Sequence, residues 1–268
     1  MKDVPLDKAL AGAVKAARAA GRLMRANRHL PKRVKTVDAH DIKLELDVRS
    51  QKLIEKILRT VFPQIPLLGE EGDSGDVTAE HRWVVDPIDG TVNYAYGIPH
   101  ACVSIALQQK AAHAKRADYD DGYATVIGVV YDPFCNELWT AVRGRPARLN
   151  GRVIHASRRR KLGEAVVSIG FAKSRASLET ALPYFAWLSR RVRKIRMMGA
   201  AALALTYVAT GRFDAYLERS IHLWDIAAGG LIVECAGGKF WFERIAPGKK
   251  FRLKASNGLI HRKLPAPQ

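Results

Sequence analysis

Apolar residues recur along this chain with different periods, and the changes of period mark out its elements. Over residues 6–26, Leu10, Val14, Ala17 and Met24 fall near helical spacing, while Arg18, Arg22 and Arg25 lie elsewhere on the surface. That spacing predicts a helix. Residues 48–61 carry a second stripe, Leu53, Ile54, Ile57, Leu58 and Val61, which Pro63 ends. Short apolar runs then predict strands at 65–68, 82–86 and 101–108, with Pro87 stopping the middle one. Runs at 125–132 and 137–142 flank Pro133-Phe134-Cys135-Asn136 and predict a hairpin.

Near residue 150 the texture changes. Residues 143–161 hold eight bases and no acid, with Gly144, Pro146 and Gly151 among them. A boundary there gives an N-terminal α+β part, 1–148, and a C-terminal α/β part, 149–268. In the second part, predicted strands at 165–169, 213–217, 239–242 and 251–255 are interspersed with helices at 177–191, 201–210 and 225–235. Gly211 and Gly237-Gly238 end the last two helices. Strands in runs predict an antiparallel first sheet, and alternation predicts α/β order in the second half.

Composition narrows the class. The 268 residues are 48% hydrophobic and 26% charged, as in a globular protein. No apolar stretch approaches the roughly 18 residues of a membrane span. Residues 1–10 include Lys2, Asp3, Asp7 and Lys8 and lack the apolar core of a secretory signal. Cys102, Cys135 and Cys235 are odd in number and far apart, so they predict neither a disulfide framework nor a zinc knuckle. They read as buried small hydrophobes in a reducing, cytoplasmic protein.

Charge adds a contrast. Lys and Arg total 44 against 26 Asp and Glu, a net +18, which suits anionic partners: nucleic acid, an anionic surface or phosphorylated substrates. Yet residues 70–91 hold seven acids (Glu70, Glu71, Asp73, Asp76, Glu80, Asp86, Asp89) and one base, Arg82. A basic chain that gathers carboxylates in one place points to metal binding.

Three segments carry the chemistry: Gly69-Glu70-Glu71, Asp86-Pro87-Ile88-Asp89-Gly90-Thr91 and Trp224-Asp225. In the middle one, two carboxylates at i and i+3 follow a strand, with Pro87 fixing the turn between them. Gly90 lets backbone approach an anion, and Thr91 opens a short helix whose first N–H groups face it. Hard oxygen ligands for Mg²⁺ and a phosphate cradle in one turn suit phosphoryl chemistry. Asp47, Glu70, Asp86, Asp89 and Asp225, with no histidine, form a magnesium-type set. His100 and His222 read as structural.

These residues resemble the inositol monophosphatase family of Mg²⁺-dependent, lithium-sensitive phosphatases over nearly the whole chain. The segment 86–94 resembles the family's central signature. Trp224-Asp225-Ile226-Ala227-Ala228-Gly229, followed by Glu234 and Gly237-Gly238, resembles its C-terminal one. Gly69-Glu70-Glu71 and Asp41…Asp47 stand in family order before them. The resemblance implies a five-layered αβαβα fold, a homodimer, and hydrolysis of a small phosphate monoester, inositol monophosphate first. It implies that Glu70, Asp86 and the Ile88 carbonyl hold one Mg²⁺, and that Asp86, Asp89 and Asp225 hold a second. A third would rest mainly on water and Glu70. Thr91 and Asp47 would orient and deprotonate the attacking water, while the N–H groups of Gly90 and Thr91 hold phosphate. Glu218 and the backbone near Ala201 would face the alcohol.

Alternatives stay open. The family core also serves fructose 1,6-bisphosphate, histidinol phosphate and 3′-phosphoadenosine 5′-phosphate. Some bacterial relatives act as RNA or transcription-complex partners. Glu218 reads as a hydroxyl acceptor or as an ion-pair partner of Arg212 or Arg219. Lys43, Leu44, Glu45 and Gln51 depart from the family pattern. They leave the implied ligands intact and alter the surroundings of the water-orienting residues.

Overall fold

Small side chains start the fold. Helix α1 (Leu6–Ala26) turns Ala9, Gly12, Ala13, Ala16, Ala17, Ala20, Gly21 and Met24 inward, so it lies close on the sheet beneath. Helix α2 (Glu45–Val61) packs beside it and buries Leu46, Ile54 and Leu58. Strands β1 (Val34–Asp38) and β2 (Asp41–Leu44), an antiparallel pair, lie between the two helices in sequence. The computed structural model describes residues 4–30, 34–38, 41–111, 122–170, 175–245 and 250–267. Among these, no helix is long and apolar enough to cross a membrane.

The first sheet has seven strands in chain order: β3 (Leu67–Gly69), β4 (His81–Asp89), β5 (Cys102–Lys110), β6 (Tyr123–Asp132), β7 (Glu137–Val142), β8 (Arg148–Leu149) and β9 (Arg152–Val153). It is antiparallel as expected, except that the edge pair β3–β4 is parallel. Both faces are covered. Trp83, Val85, Val103 and Ile105 join the core under α1 and α2, while Val84, Cys102 and Ala106 point into the opposite core. Strands buried on both faces read as continuous apolar runs, which is how they were visible in the sequence.

Helix α3 (Thr91–Ala95) follows β4 directly. The second half supplies β10 (Val166–Ile169), α4 (Arg175–Ser189), β11 (Lys194–Arg196), α5 (Ala201–Ala209), β12 (Ala215–His222), α6 (Leu223–Cys235), β13 (Lys239–Ile245) and β14 (Lys250–Ser256). Its sheet runs β11-β10-β12-β14-β13, with β11, β10 and β12 parallel and β14 antiparallel to both β12 and β13. Helices α5 and α6 sit between the two sheets in one large core. Leu188 of α4 packs with Val167 and Leu217 on the outer face of the second sheet. The layers are therefore α1/α2, first sheet, α5/α6, second sheet, α4: the five-layered αβαβα order expected.

Three expectations need correction. Strand β4 runs on past Pro87 to Asp89, with its ladder to β5 irregular between Asp86 and Asp89, where proline offers no N–H to pair. Strand β12 continues through Glu218 to His222 instead of stopping at 217. Its polar residues 218–220 interrupt the apolar run, but pairing with β14 resumes at Ile221 after an irregularity. Cys102 is buried, whereas Cys235 is only partly buried and Cys135 is exposed in the turn between β6 and β7.

Candidate active site

The end of β4 builds the centre. Its ladder with β5 pairs Asp86 with Ser104, breaks, and resumes at Asp89 with Cys102. Within the break, Asp86 Oδ1 accepts the Ile88 N–H at 2.9 Å. Gly90 then adopts φ 91°, a left-handed conformation that only glycine takes readily. A Cβ there would also lie 2.9 Å from the His100 carbonyl. Thr91 opens α3, and its hydroxyl donates to the Ile88 carbonyl at 2.9 Å.

Asp89 is buried and caps another helix from outside. Its two oxygens accept the N–H groups of Ala201 at 3.0 Å and Ala202 at 2.8 Å, in the first turn of α5. The Ala201 N–H is thus committed to Asp89. Burial raises the Asp89 carboxyl to about 6, and these N–H donors hold it back from rising further. Asp225 comes from the second half, as the third residue of α6, where its Oδ2 accepts the His222 N–H at 2.9 Å. It closes the helix start from within the first turn rather than standing before it.

Asp86, Asp89 and Asp225 each bring an oxygen within 4.8 Å of the others. Burial first, and then the neighbouring acids, push Asp86 and Asp225 well above the usual carboxylate range. Like charges so close need a compensating positive charge, either a proton or a cation. The donors are hard oxygens, with the Ile88 carbonyl on the same turn, and they fit a small hard cation.

Glu70 follows β3 and lies outside that trio. Its N–H donates to the Val85 carbonyl at 3.2 Å, which anchors it to β4. Its charge contributes to raising Asp47, Asp86 and Asp225. Asp47 is the third residue of α2, and its Oδ2 accepts the Leu44 N–H at 2.7 Å. Its Oδ1 is buried with no hydrogen-bond partner among the described residues. Burial raises Asp47 to about 8, with Glu70 and Glu71 adding to the shift. Of Asp41 the structure describes the backbone, which opens β2.

Two of the departing residues gather on the Glu70 turn. Lys43 pairs with Glu71 at 3.4 Å. Gln51 donates to the Gly72 carbonyl at 2.8 Å and accepts the Glu71 N–H at 3.0 Å. A carboxylate at 51 could accept but not donate. The sequence marked these positions as unusual but gave no sign that they converge.

Glu218 is buried, 8% exposed, at the break in the β12–β14 ladder. It accepts the Tyr216 hydroxyl at 3.1 Å and the Arg219 N–H at 3.0 Å, and burial raises its carboxyl to about 7. Arg212 pairs with Glu137 instead. Gly170, just past β10, makes room for this carboxylate: a Cβ there would fall 1.4 Å from Glu218 Oε2. Sequence reasoning passed over Gly170 and Tyr216, because neither stands in a recognisable chemical pattern. The His222 ring stacks on Trp224 at 4.6 Å, and His100 packs edge-on against Tyr207.

Two further side chains, Asn93 and Ser104, tie the halves together at this place, through the Met198 and Trp224 carbonyls. Asn93 Nδ2 donates to the His100 carbonyl at 2.9 Å and the Met198 carbonyl at 2.8 Å, and the Ser104 hydroxyl donates to the Trp224 carbonyl at 3.1 Å.

Comparison with known proteins covers most of the chain. A curated relative, the Nus factor SuhB of Xylella fastidiosa, is 40% identical over 232 residues, covering 84% of this chain and 78% of its own. The inositol monophosphatase of Mesembryanthemum crystallinum is 36% identical over 270 residues, covering 96% and 94%. The crystal structure of the extragenic suppressor protein suhB from Bartonella henselae superposes with a TM-score of 0.84 at 34% identity, covering 95% of both chains. The inositol monophosphatase family model matches residues 6–262, and the chain belongs to that family.

Proposed function

We propose that this chain is an Mg²⁺-dependent phosphatase that hydrolyses a small phosphate monoester, with inositol monophosphate as first substrate. The observation that carries the reading is the trio Asp86, Asp89 and Asp225, whose oxygens gather within 4.8 Å beside a left-handed Gly90 at a helix start. Asp86, Asp89 and Asp225 would hold one cation. Glu70, Asp86 and the Ile88 carbonyl would hold another, with a third resting mainly on water and Glu70. Bound Mg²⁺ supplies positive charge for the phosphate and leaving-group oxygens and makes water more acidic.

The remaining work falls to the chain. The N–H groups of Gly90 and Thr91 at the start of α3 orient the phosphate. The unpartnered Asp47 Oδ1 and the Thr91 hydroxyl hold the attacking water in line, and Asp47 takes its proton. Glu218 accepts hydrogen bonds from the alcohol's hydroxyls, and the backbone near Ala201, at the start of α5, faces the same alcohol. In this reading, residues 1–148 carry most of the ligands and the water-orienting groups, and 149–268 carry Asp225 and the alcohol-facing residues. The chain works in the cytoplasm as a homodimer and is sensitive to lithium. The SuhB relatives and the +18 charge support a second role as a transcription-complex partner.

The deciding experiment is phosphate release from a panel: inositol 1-phosphate, fructose 1,6-bisphosphate, histidinol phosphate, 3′-phosphoadenosine 5′-phosphate and an aryl phosphate. Each is assayed with Mg²⁺, with Mg²⁺ plus Li⁺, and with excess chelator. Inositol 1-phosphate should turn over best and only with Mg²⁺. Full activity in chelator would falsify the reading.

A further inference from the structure

Two helices that share a layer also share a charge spacing. On α1, Lys15, Arg18, Arg22 and Arg25 stand at intervals of three, four and three. On α2, Arg49, Lys52, Lys56 and Arg59 repeat the same intervals. Such spacing holds four side chains on one helical face, and all eight are exposed. At 1.5 Å per residue each row is about 15 Å long.

Little among the described residues balances these charges. Residues 15–25 contain no acid, and residues 49–59 contain only Glu55, which pairs with Arg59 at 2.8 Å. Arg18 lies over the Tyr131 ring. Lys15, Arg22, Arg25, Arg49, Lys52 and Lys56 meet no acid or ring among the described residues. The opposite faces of both helices are locked into the core through residues such as Ala16, Ala20, Ile54 and Leu58. The rows are therefore fixed in place, at a standing cost in mutual repulsion.

We propose that the outer face of α1 and α2 binds the phosphate backbone of a nucleic-acid duplex without reading its sequence. At about 3.4 Å of axis per phosphate in each strand, a 15 Å row spans roughly four phosphates, about one for each base. Five of the eight residues are arginines, whose forked donors suit phosphate oxygens. No large hydrophobic or aromatic side chain within either row is exposed. The face thus offers nothing to stack on unpaired bases and nothing to enter a lipid bilayer. The inference is independent of the phosphatase reading, because none of the eight residues belongs to the carboxylate centre.

The test is fluorescence anisotropy with labelled duplexes of about 20 base pairs and unrelated sequences, over a salt series. Five to eight neutralised phosphates give a slope of log affinity against log salt of about −4.5 to −7. The double variant Arg22→Glu/Lys56→Glu should bind at least tenfold more weakly with a slope about 2 units shallower. Its melting temperature and its rate on an aryl phosphate should stay at wild-type values. If that variant does not fold, Arg22→Gln/Lys56→Gln should show the same loss of slope. A control pair with the same charge change, Arg190→Glu/Arg193→Glu beyond α4, should leave the slope unchanged. Equal losses from both pairs would mean that net charge alone attracts the duplex, and would overturn the proposal. So would binding to phosphatidylserine vesicles that depends on Arg22 and Lys56 when duplex binding does not.

Discussion

Asp89→Asn separates the demands of the fold from those of the chemistry. Each Asp89 oxygen accepts one N–H from the start of α5, at 3.0 and 2.8 Å. Asparagine keeps one acceptor but sets its Nδ2 against the other N–H, donor to donor. Losing a hydrogen bond to a charged group costs about 1.5–3 kcal/mol. The lost charge at the helix start adds about 0.3–1 kcal/mol. Against this stands the burial that lifts the Asp89 carboxyl from 3.8 to about 6. Burial therefore disfavours the ionised, cation-free carboxylate, a penalty that asparagine does not carry. These effects oppose one another, so the variant should melt within a few degrees of wild type when no divalent cation is present. With Mg²⁺ at about 100 times its dissociation constant, wild type gains about 2.7 kcal/mol, roughly 5–10 °C for a chain this size. The variant should gain little of this, and its turnover should fall roughly a hundredfold or more. The assay is a pair of thermal melts and a rate on the same sample. If the variant gains as many degrees from Mg²⁺ as wild type, or keeps its rate, Asp89 is no ligand and the argument fails.

Glu218→Ala should lower kcat/KM for inositol 1-phosphate tenfold to a hundredfold, from about 1–3 kcal/mol per hydroxyl left unpaired. Gly170→Ala should do the same by displacing the carboxylate, and both should leave an aryl phosphate nearly unaffected. Equal falls on the two substrates would assign Glu218 and Gly170 to the metal site instead. Asp47, Asp89 and Glu218 have carboxyls raised to about 8, 6 and 7. The folded chain therefore keeps protons that the unfolded chain releases near pH 4. That stabilisation is whole below pH 4 and is lost as pH rises through 6 to 8. The cation-free protein should thus melt progressively lower from about pH 5 to about pH 8, and Mg²⁺ should flatten the decline; a melting temperature that climbs over this range contradicts it.

The sequence made long or doubly buried elements legible, because their apolar periods are strong. It placed α1, α2, α5, α6 and the central strands close to their observed bounds. Strands β8 and β9 escaped because they are two residues long and partly charged, with too little apolar surface to form a period. Their signal was the turn Asn150-Gly151, where both residues take positive φ, 48° and 82°, as a tight hairpin demands. Strand β11 and the β1–β2 pair lacked clear alternation for similar reasons. In the centre, Asp86, Asp89 and Asp225 were legible because their chemistry is written in side chains of a distinctive order. Gln51, Tyr216 and Gly170 were not, since their parts depend on residues 20, 2 and 48 positions away. A clamp, a hydroxyl donor and an absent methyl leave no periodic trace.

The bonds at the centre span long stretches of chain: 113 residues from Asp89 to Ala202 and 120 from Ser104 to Trp224. On the ribosome, the first sheet and its cover of α1 and α2 therefore emerge well before α5 and α6 exist. At roughly 5–20 residues per second, Asp86 waits on the order of ten seconds for Asp225. Through that interval the inner face of the sheet, with Val84, Ala106 and Val130, has no partner, and Asp86 and Asp89 stand without the third acid of their trio. The nascent chain meets its apolar hazard first and its electrostatic one last, and both are resolved when α6 slides between the sheets.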